Sequence, residues 1–377
     1  MANEFLTIKN IARQTLPRLI ENLVFPNLCY KDYSESFAFQ GDTIQVRKPV
    51  KYTASEFVQA DGTTAQDCKE ESVDVTLNHL ATVDIEFTAV QRATNVDDLN
   101  RLFLEPAALA LAEKINADGL GLYVDIPYIG GAAGTTPDAL TDFSDCRKIL
   151  NANKAPVSPR RAIWDVEADA KFTTIDSLVK VSESGTARAL REGEIGRVFG
   201  LDNYMSQAVK SHTIGTLATA GTAGKKILLK GAASAATQVT LDTDDSALTG
   251  TLKKGDVLTF TPATGTAKTV VVTADAEAAT NEIVVKVYPA LTVADNAAVT
   301  ITAKHTANLA FHENAFAFVT RPLSVPAGVE AYVTSFNGIT MRVVRGYDMK
   351  YKKEMLSMDI LYGYKTMYPE LAVRYLG

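Results

Sequence analysis

Apolar residues along this chain change their spacing several times, and each change marks an element. At the start, Leu6, Ile8, Ile11, Leu16, Leu19, Ile20 and Leu23 suit one face of an amphipathic helix, broken or restarted at Pro17. Such a stripe packs either on its own domain or on a neighbouring molecule. From Ser36 the period becomes two: FAFQGDTIQVRKPV predicts strand, turn at Gly41-Asp42 and strand, with Pro49 ending the pairing. Alternation returns at Val73, Val75 and Leu77 and again at Val83, Ile85 and Phe87. Between these strands lies the polar, aliphatic-poor KYTASEFVQADGTTAQDCKE, with an Asp61-Gly62 turn signal. A loop of that length is uncommon in a compact domain unless it has a task.

Helical spacing follows. Thr94 or Asn95 can cap a helix whose first turn carries Asp97 and Asp98, and Leu99, Leu102 and Phe103 define its face. Pro106 suits the first position of a renewed helix through LALAEKINADGL, which Gly119 and Gly121 are expected to stop. After the glycine-rich GGAAGTTPDAL, a helix is expected from Pro137-Asp138 to Asn151. RRAIWDV then predicts a strand and VEADAKFTTIDSLVKV a helix.

From Thr213 to Ala303 the composition shifts to Thr, Ala, Gly and Val. Strand-like runs KKILLKG, TQVTLDT, GDVLTFT, KTVVVTADA, NEIVVKVYPA and AAVTITA alternate with turn residues, which predicts a self-contained β-sandwich or barrel. Mixed character resumes at NLAFHENAFAFVTRPL, and GITMRVVRGYDMKYKKEMLSMDILYGYKTMYPELAVRYL reads as a β-meander. The β-domain is therefore expected to be inserted into a host.

Candidate chemistry is sparse. GEIGRVFGLDNYMSQAV holds Gly193, Gly196 and Gly200, but a phosphate loop needs a different spacing and Lys-Ser/Thr after its last glycine, where Leu201 stands. The dinucleotide fingerprint is also absent, so these glycines read as tight turns at φ > 0. His79, His212, His305 and His312 make no metal-ligand spacing, and His312-Glu313 reads as an ordinary turn or surface pair. Asp242, Asp244 and Asp245 begin like a calcium loop, yet Ala247 and Lys253 occupy its glycine and glutamate positions, leaving an exposed acidic loop. In GTAGKK, Lys226 replaces the Ser or Thr that would hold magnesium. No metal, cofactor or catalytic residue is assigned, and the chain is read as a non-enzyme.

At 377 residues, 46% hydrophobic and 22% charged, the chain has the composition of a globular protein of two or three domains. Its formal charge of -6 argues against a dedicated nucleic-acid binder but permits passive contact with DNA. Cys29, Cys68 and Cys146 lie far apart and predict reduced thiols. The first residues lack a secretory pattern and no segment approaches the ~20 apolar residues of a membrane span, so no membrane partner is expected.

The order of elements carries the strongest signal. GDTIQVRKP (41–49), VTLNHLATVDIEFTAVQRA (75–93), LEPAALALAEKIN (104–116), REGEIGRVFGLDNYMSQAV (191–209), AFHENAFAFVTRPL (310–323) and the closing LYGYKTMYPELAVRYLG together resemble the coat proteins of tailed bacteriophages. The resemblance is to the P-twenty-two-like branch, which has the Hong Kong ninety-seven type fold and carries an inserted β-domain; TLKKGDVLTF and NEIVVKVYPAL are similar to that insert. It covers nearly the whole chain and rests on order and spacing rather than on one diagnostic motif.

The resemblance implies an α+β capsid fold with an inserted all-β, barrel-like domain. It divides the chain into an N-terminal arm (1–35), strands and E-loop (36–90), a P-domain spine-helix region (91–122), a first A-domain segment (123–210), the insert (211–307), a second A-domain segment (308–344) and returning P-domain/A-domain strands (345–377). It implies a major capsid protein that assembles into pentamers and hexamers of an icosahedral shell around double-stranded DNA, in the virion and, during assembly, in the host cytoplasm. The implied partners are its own copies, a scaffolding protein, a portal and non-specifically contacted DNA. Lys51, Glu56, Asp61, Asp67, Lys69, Asp242, Asp244 and Asp245 are the expected intersubunit contacts. Two other readings stay open: an encapsulin-like nanocompartment shell, and a cytoplasmic enzyme with an accessory β-domain.

Overall fold

A computed structural model describes residues 8–31, 43–48, 71–88, 105–180, 188–219, 226–243, 248–279, 281–326, 328–336, 338–351 and 353–377. The chain divides into two compact units, one formed by 1–22, 31–112 and 317–367, the other by 23–30, 113–316 and 368–377.

In the first unit, helix Ile8–Asn22 contains Pro17 and packs along strands Glu330–Phe336 and Ile339–Asp348, burying Leu16 and Leu19. These strands belong to a five-stranded sheet in the order Phe316–Arg321, Lys353–Thr366, Ile339–Asp348, Glu330–Phe336, with His79–Thr88 paired along Lys353–Thr366. Period-two alternation buries Ile339, Met341 and Val343 opposite Met358 and Ile360. On the other face Arg342 Nε donates to Asp359 Oδ2 at 3.0 Å, while Ser357 Oγ donates to Asp359 Oδ1 at 2.7 Å. Strand Thr43–Lys48 pairs antiparallel with Glu71–Thr76, from Thr43↔Thr76 to Lys48↔Glu71. The connection between them, the expected polar loop, lies outside the described residues.

Helix Glu105–Leu120 starts as Pro106 predicts, but it runs through Gly119 and passes into the short helical turn Gly121–Asp125. The capping residues expected at 94–98 lie outside the described residues.

The second unit is built on a mixed sheet ordered Ile129–Gly131, Ala372–Leu376, His305–His312, Arg160–Trp164, Leu201–Met205, Arg197–Val198, with Ser211–His212 also pairing His305–His312. The chain's last strand thus leaves the expected meander and joins this sheet, where it runs parallel to Ile129–Gly131. Helix Leu140–Ala152 lays Phe143 against Trp164 and Phe172, with ring centroids 5.3 and 4.4 Å apart. The helix expected from Val166 onward is two pieces, Val166–Phe172 and Asp176–Val179. Thr173 and Thr174 turn their hydroxyls back onto the carbonyls of Ala170 and Lys171 at 2.8 and 2.6 Å, which offers the backbone an exit from the helix. Gly193, Gly196 and Gly200 have φ of 69, 70 and 85°, so they serve turns.

Each of the six predicted runs of the insert forms one strand of a closed antiparallel barrel: Ile227–Lys230, Ala233–Thr243, Ile283–Val293, Lys268–Val272, Val257–Thr261 and Ala298–Ile301, in that order around the barrel. The burial of Ile283, Val285 and Val287 against the exposure of their alternating neighbours shows the in–out period of a small filled barrel.

Candidate functional site

Among the described residues no group of three or more His, Cys, Asp or Glu is placed to hold a metal. Buried ionisable groups do converge in one place, the neck through which the barrel joins the host sheet.

The neck begins with backbone. Ser211–His212 carries the chain toward the barrel and His305–His312 brings it back, and the two pair antiparallel with His212 opposite His305. Asp256 sits in the tight turn before strand Val257–Thr261, Tyr123 in the helical turn Gly121–Asp125, and Arg374 in the closing strand Ala372–Leu376. Five side chains from five segments therefore meet, exposed by only 7% (Tyr123), 3% (His212), 0% (Asp256), 2% (His305) and 0% (Arg374).

Their hydrogen bonds fix the protonation pattern. Asp256 Oδ2 accepts from the backbone N–H of Lys253 (2.7 Å) and Gly215 (3.1 Å), and Oδ1 accepts from His212 Nε2 at 2.8 Å. His212 Nδ1 then lies 3.0 Å from the Tyr123 hydroxyl, which donates to it when the ring is neutral. On the other side, His305 Nδ1 donates to the carbonyl of Ala303 at 2.6 Å, so its Nε2 lone pair is free to receive Arg374 Nη2, also at 2.6 Å. Arg374 Nη1 donates to the carbonyl of Gly255 at 2.7 Å, and its guanidinium carbon lies 4.6 Å from the centroid of the Tyr123 ring. Gly255 has φ +93°, and a Cβ there would sit 2.7 Å from Val124 Cγ1, so only glycine brings this carbonyl to the arginine.

Burial and charge shift the titrations accordingly. Burial lowers His305 to about 4, and the Arg374 charge pushes the same way, so His305 is neutral at pH 7. For Asp256, burial acts upward, but the His212 hydrogen bond and the two backbone donors outweigh it and hold the carboxyl below its usual range. Burial lowers Arg374 to about 10, leaving it charged, and it raises the Tyr123 hydroxyl. The cluster thus holds the Asp256 carboxylate, the Arg374 guanidinium and a neutral His305, with His212 hydrogen-bonded between Asp256 and Tyr123.

Asp256, His212 and Tyr123 form a carboxylate–imidazole–hydroxyl chain of the kind hydrolases use to activate a nucleophile. Here the hydroxyl at its end is raised rather than lowered in pKa and is buried beneath Arg374, so the chain offers no activated oxygen to a substrate. Its effect is mechanical: turn, entry strand, exit strand, barrel and closing strand are tied by charge-assisted bonds in a buried site.

None of the expected contact residues belongs to this cluster. Lys51, Glu56, Asp61, Asp67, Lys69, Asp244 and Asp245 lie outside the described residues. Asp242 lies in barrel strand Ala233–Thr243 opposite Leu228, half-buried, with burial raising its carboxyl against the opposing pull of Lys230. His312 is buried and accepts from Asn314 N at 3.3 Å, capping the turn Glu313–Ala315. Spacing does not reveal the neck, but position offers a signal: His212 and His305 stand at the two borders where composition changes.

Neither the family models nor the curated proteins that were searched match this sequence. Among solved structures, the chain is similar to one from Mycobacterium phage Che8, with TM-score 0.54 and 16% identity, covering 94% of this chain and 90% of that one. The fold is the Hong Kong ninety-seven type capsid fold. Weaker likenesses are to the capsid structure of the cyanophage P-SCSP1u (TM-score 0.49, 13% identity, 89% of this chain and 84% of that one) and to Gordonia phage Cozz (0.47, 10%, 93% and 85%). Within this capsid fold the six-stranded barrel interrupts the host sheet between Leu201–Met205 and His305–His312, and the buried neck is its attachment. No helix among the described residues is long and apolar enough to cross a membrane.

Proposed function

We propose that this chain is the major capsid protein of a tailed phage, assembling through pentamers and hexamers into an icosahedral shell around double-stranded DNA. The observation that carries the reading is the capsid-type fold, matched over nearly the whole chain. The sealed neck supports a structural rather than an enzymatic role, because its one relay-like arrangement presents no reactive atom. Shells multiply modest contacts through many copies, and arms that order on a neighbour enlarge an interface without enlarging a core.

In this reading residues 1–35 are the N-terminal arm, 36–90 carry the E-loop, 91–122 the spine helix, 123–210 and 308–344 the A-domain, 211–307 the insert, and 345–377 the returning strands. The loop joining Thr43–Lys48 to Glu71–Thr76 reaches a neighbouring copy through Lys51, Glu56, Asp61, Asp67 and Lys69, while Asp242, Asp244 and Asp245 act from the insert. A scaffolding protein guides assembly in the host cytoplasm, a portal fills one vertex, and the acidic chain touches packaged DNA without sequence preference.

Electron microscopy of the purified chain supplied with its scaffolding protein is the test, with closed shells as the expected outcome. A chain that stays monomeric at every concentration overturns the reading. Deleting residues 55–67 is expected to leave the melting temperature of the subunit nearly unchanged while lowering the yield of closed particles.

A further inference from the structure

The turn joining strands Arg197–Val198 and Leu201–Met205 has two residues, Phe199 and Gly200, because Val198 pairs with Leu201. Both are in the left-handed region, with φ of 47 and 85°. Two-residue hairpin turns of this kind favour Asn-Gly, since both central residues need positive φ. Glycine is at home there; phenylalanine is not, and a bulky side chain in that region is an outlier. Phe199 gains only part of the burial that could offset this, being 46% exposed.

The turn is also firmly mounted. Asn203 donates from Nδ2 to the carbonyls of Gly196 (2.9 Å) and Leu201 (3.1 Å), and its Oδ1 accepts from Nε1 of the buried Trp164 at 3.0 Å. Arg197 Nε lies 3.6 Å from Asp202 Oδ1 across the hairpin. Leu190, Tyr204 and Met205, on the same stretch of chain, are exposed as well. An exposed aromatic on a braced, strained turn has lost its freedom before meeting a partner, as the anchor residues of interfaces do, and strain of this kind collects at functional positions.

The occupant follows from charge. The whole chain carries -6 and repels its own copies, but residues 188–205 hold Arg188, Arg191 and Arg197 against Glu192, Glu194 and Asp202, a locally neutral surface. Arg188 Nη1 lies 3.3 Å from Glu194 Oε2, so some of this charge is already paired. A nucleic acid would select a basic patch; a patch without net charge lets an apolar knob meet a second copy of this acidic chain without the like-charge repulsion that the chain as a whole carries. We infer that the Phe199–Gly200 turn is a contact knob that inserts into a second copy of this chain, as a head-to-tail contact within a ring. The inference rests on the shell reading above and adds to it the residue that carries one interface.

Phe199→Asn relieves the turn and removes the knob. The subunit's melting temperature is expected to stay level or rise, while the protein concentration needed for assembly rises at least tenfold; Phe199→Tyr is expected to assemble like the parent chain. Hydroxyl-radical labelling of Phe199 in the parent chain is expected to fall at least fivefold between free subunits and closed shells, and it decides the matter if Phe199→Asn does not fold. Assembly of Phe199→Asn at the parent threshold, or equal labelling in both states, overturns the inference while leaving the shell reading intact. A parent chain that never assembles overturns the shell reading itself, and the knob with it.

Discussion

The barrel interior is filled by Leu229, Val239, Leu241, Leu258, Phe260, Val270, Ile283, Val285 and similar side chains. At its neck the same unit buries Asp256, His212, His305, Tyr123 and Arg374. An aliphatic interior is stabilised by area and tolerates conservative exchange, because the attraction is non-directional. The neck is directional: each hydrogen bond names one partner atom, and removing that partner leaves a buried polar or charged group unsatisfied. The contrast separates two jobs, holding a domain together and holding it at one angle to its host.

The sharpest way to break the contrast is Arg374→Met. It leaves Asp256 without its compensating cation and His305 Nε2 and the Gly255 carbonyl without a donor. Unfolding by denaturant, followed through Trp164, is expected to show a loss of about 3–5 kcal/mol, the scale of leaving a buried charge uncompensated. The chain has one tryptophan, it is buried in this unit, and it therefore reports on this unit. A loss below about 1 kcal/mol would make the neck no more than a surface ion pair.

Acid probes the same difference without mutation. His305 falls from 6.5 to about 4 on folding, so between those values the unfolded chain binds more protons than the native one. Its contribution is full above pH 6.5 and is lost as pH falls toward 4, on the order of 3 kcal/mol in all. Asp256, also depressed, begins to lose its contribution at still lower pH. His305→Gln, which keeps one donor and one acceptor, is expected to flatten the pH dependence between 6.5 and 4; equal slopes in parent and variant would refute the assignment.

The smallest effect belongs to the barrel. Ile283→Val removes one methylene from the aliphatic interior and is expected to cost about 1 kcal/mol, read as faster hydrogen exchange of barrel amides, with the same cost at pH 7 and pH 5. A pH-dependent cost would mean that barrel and neck are not separable.

The same contrast decides what can be read from the sequence. All six barrel strands are legible because each is a short run rich in β-branched and aliphatic residues that ends on turn residues, as in KKGDVLTFT. The turns at Gly193, Gly196 and Gly200 are legible because glycine's freedom at positive φ is local. The neck is not, since residues 123, 212, 256, 305 and 374 meet only after two strands have paired and a barrel has closed. Arg374 in AVRYL looks like the polar position of an ordinary strand, yet it is wholly buried. The break after Phe172 is hidden because the helical period continues across Thr173 and Thr174, whose hydroxyls compete for the backbone. The last strand goes to an unexpected sheet because alternation identifies a strand without naming its neighbours.

The pairing of His212 with His305 also bears on the order in which the chain can fold. Left unstructured, residues 213–304 form a loop whose closure costs about 3 kcal/mol more than that of a four-residue turn. Once the barrel has formed, its two ends are already neighbours and that entropy has been spent inside the barrel. The host then meets the long insertion as though it were a short hairpin, and a contact that is remote in sequence forms with the speed of a local one.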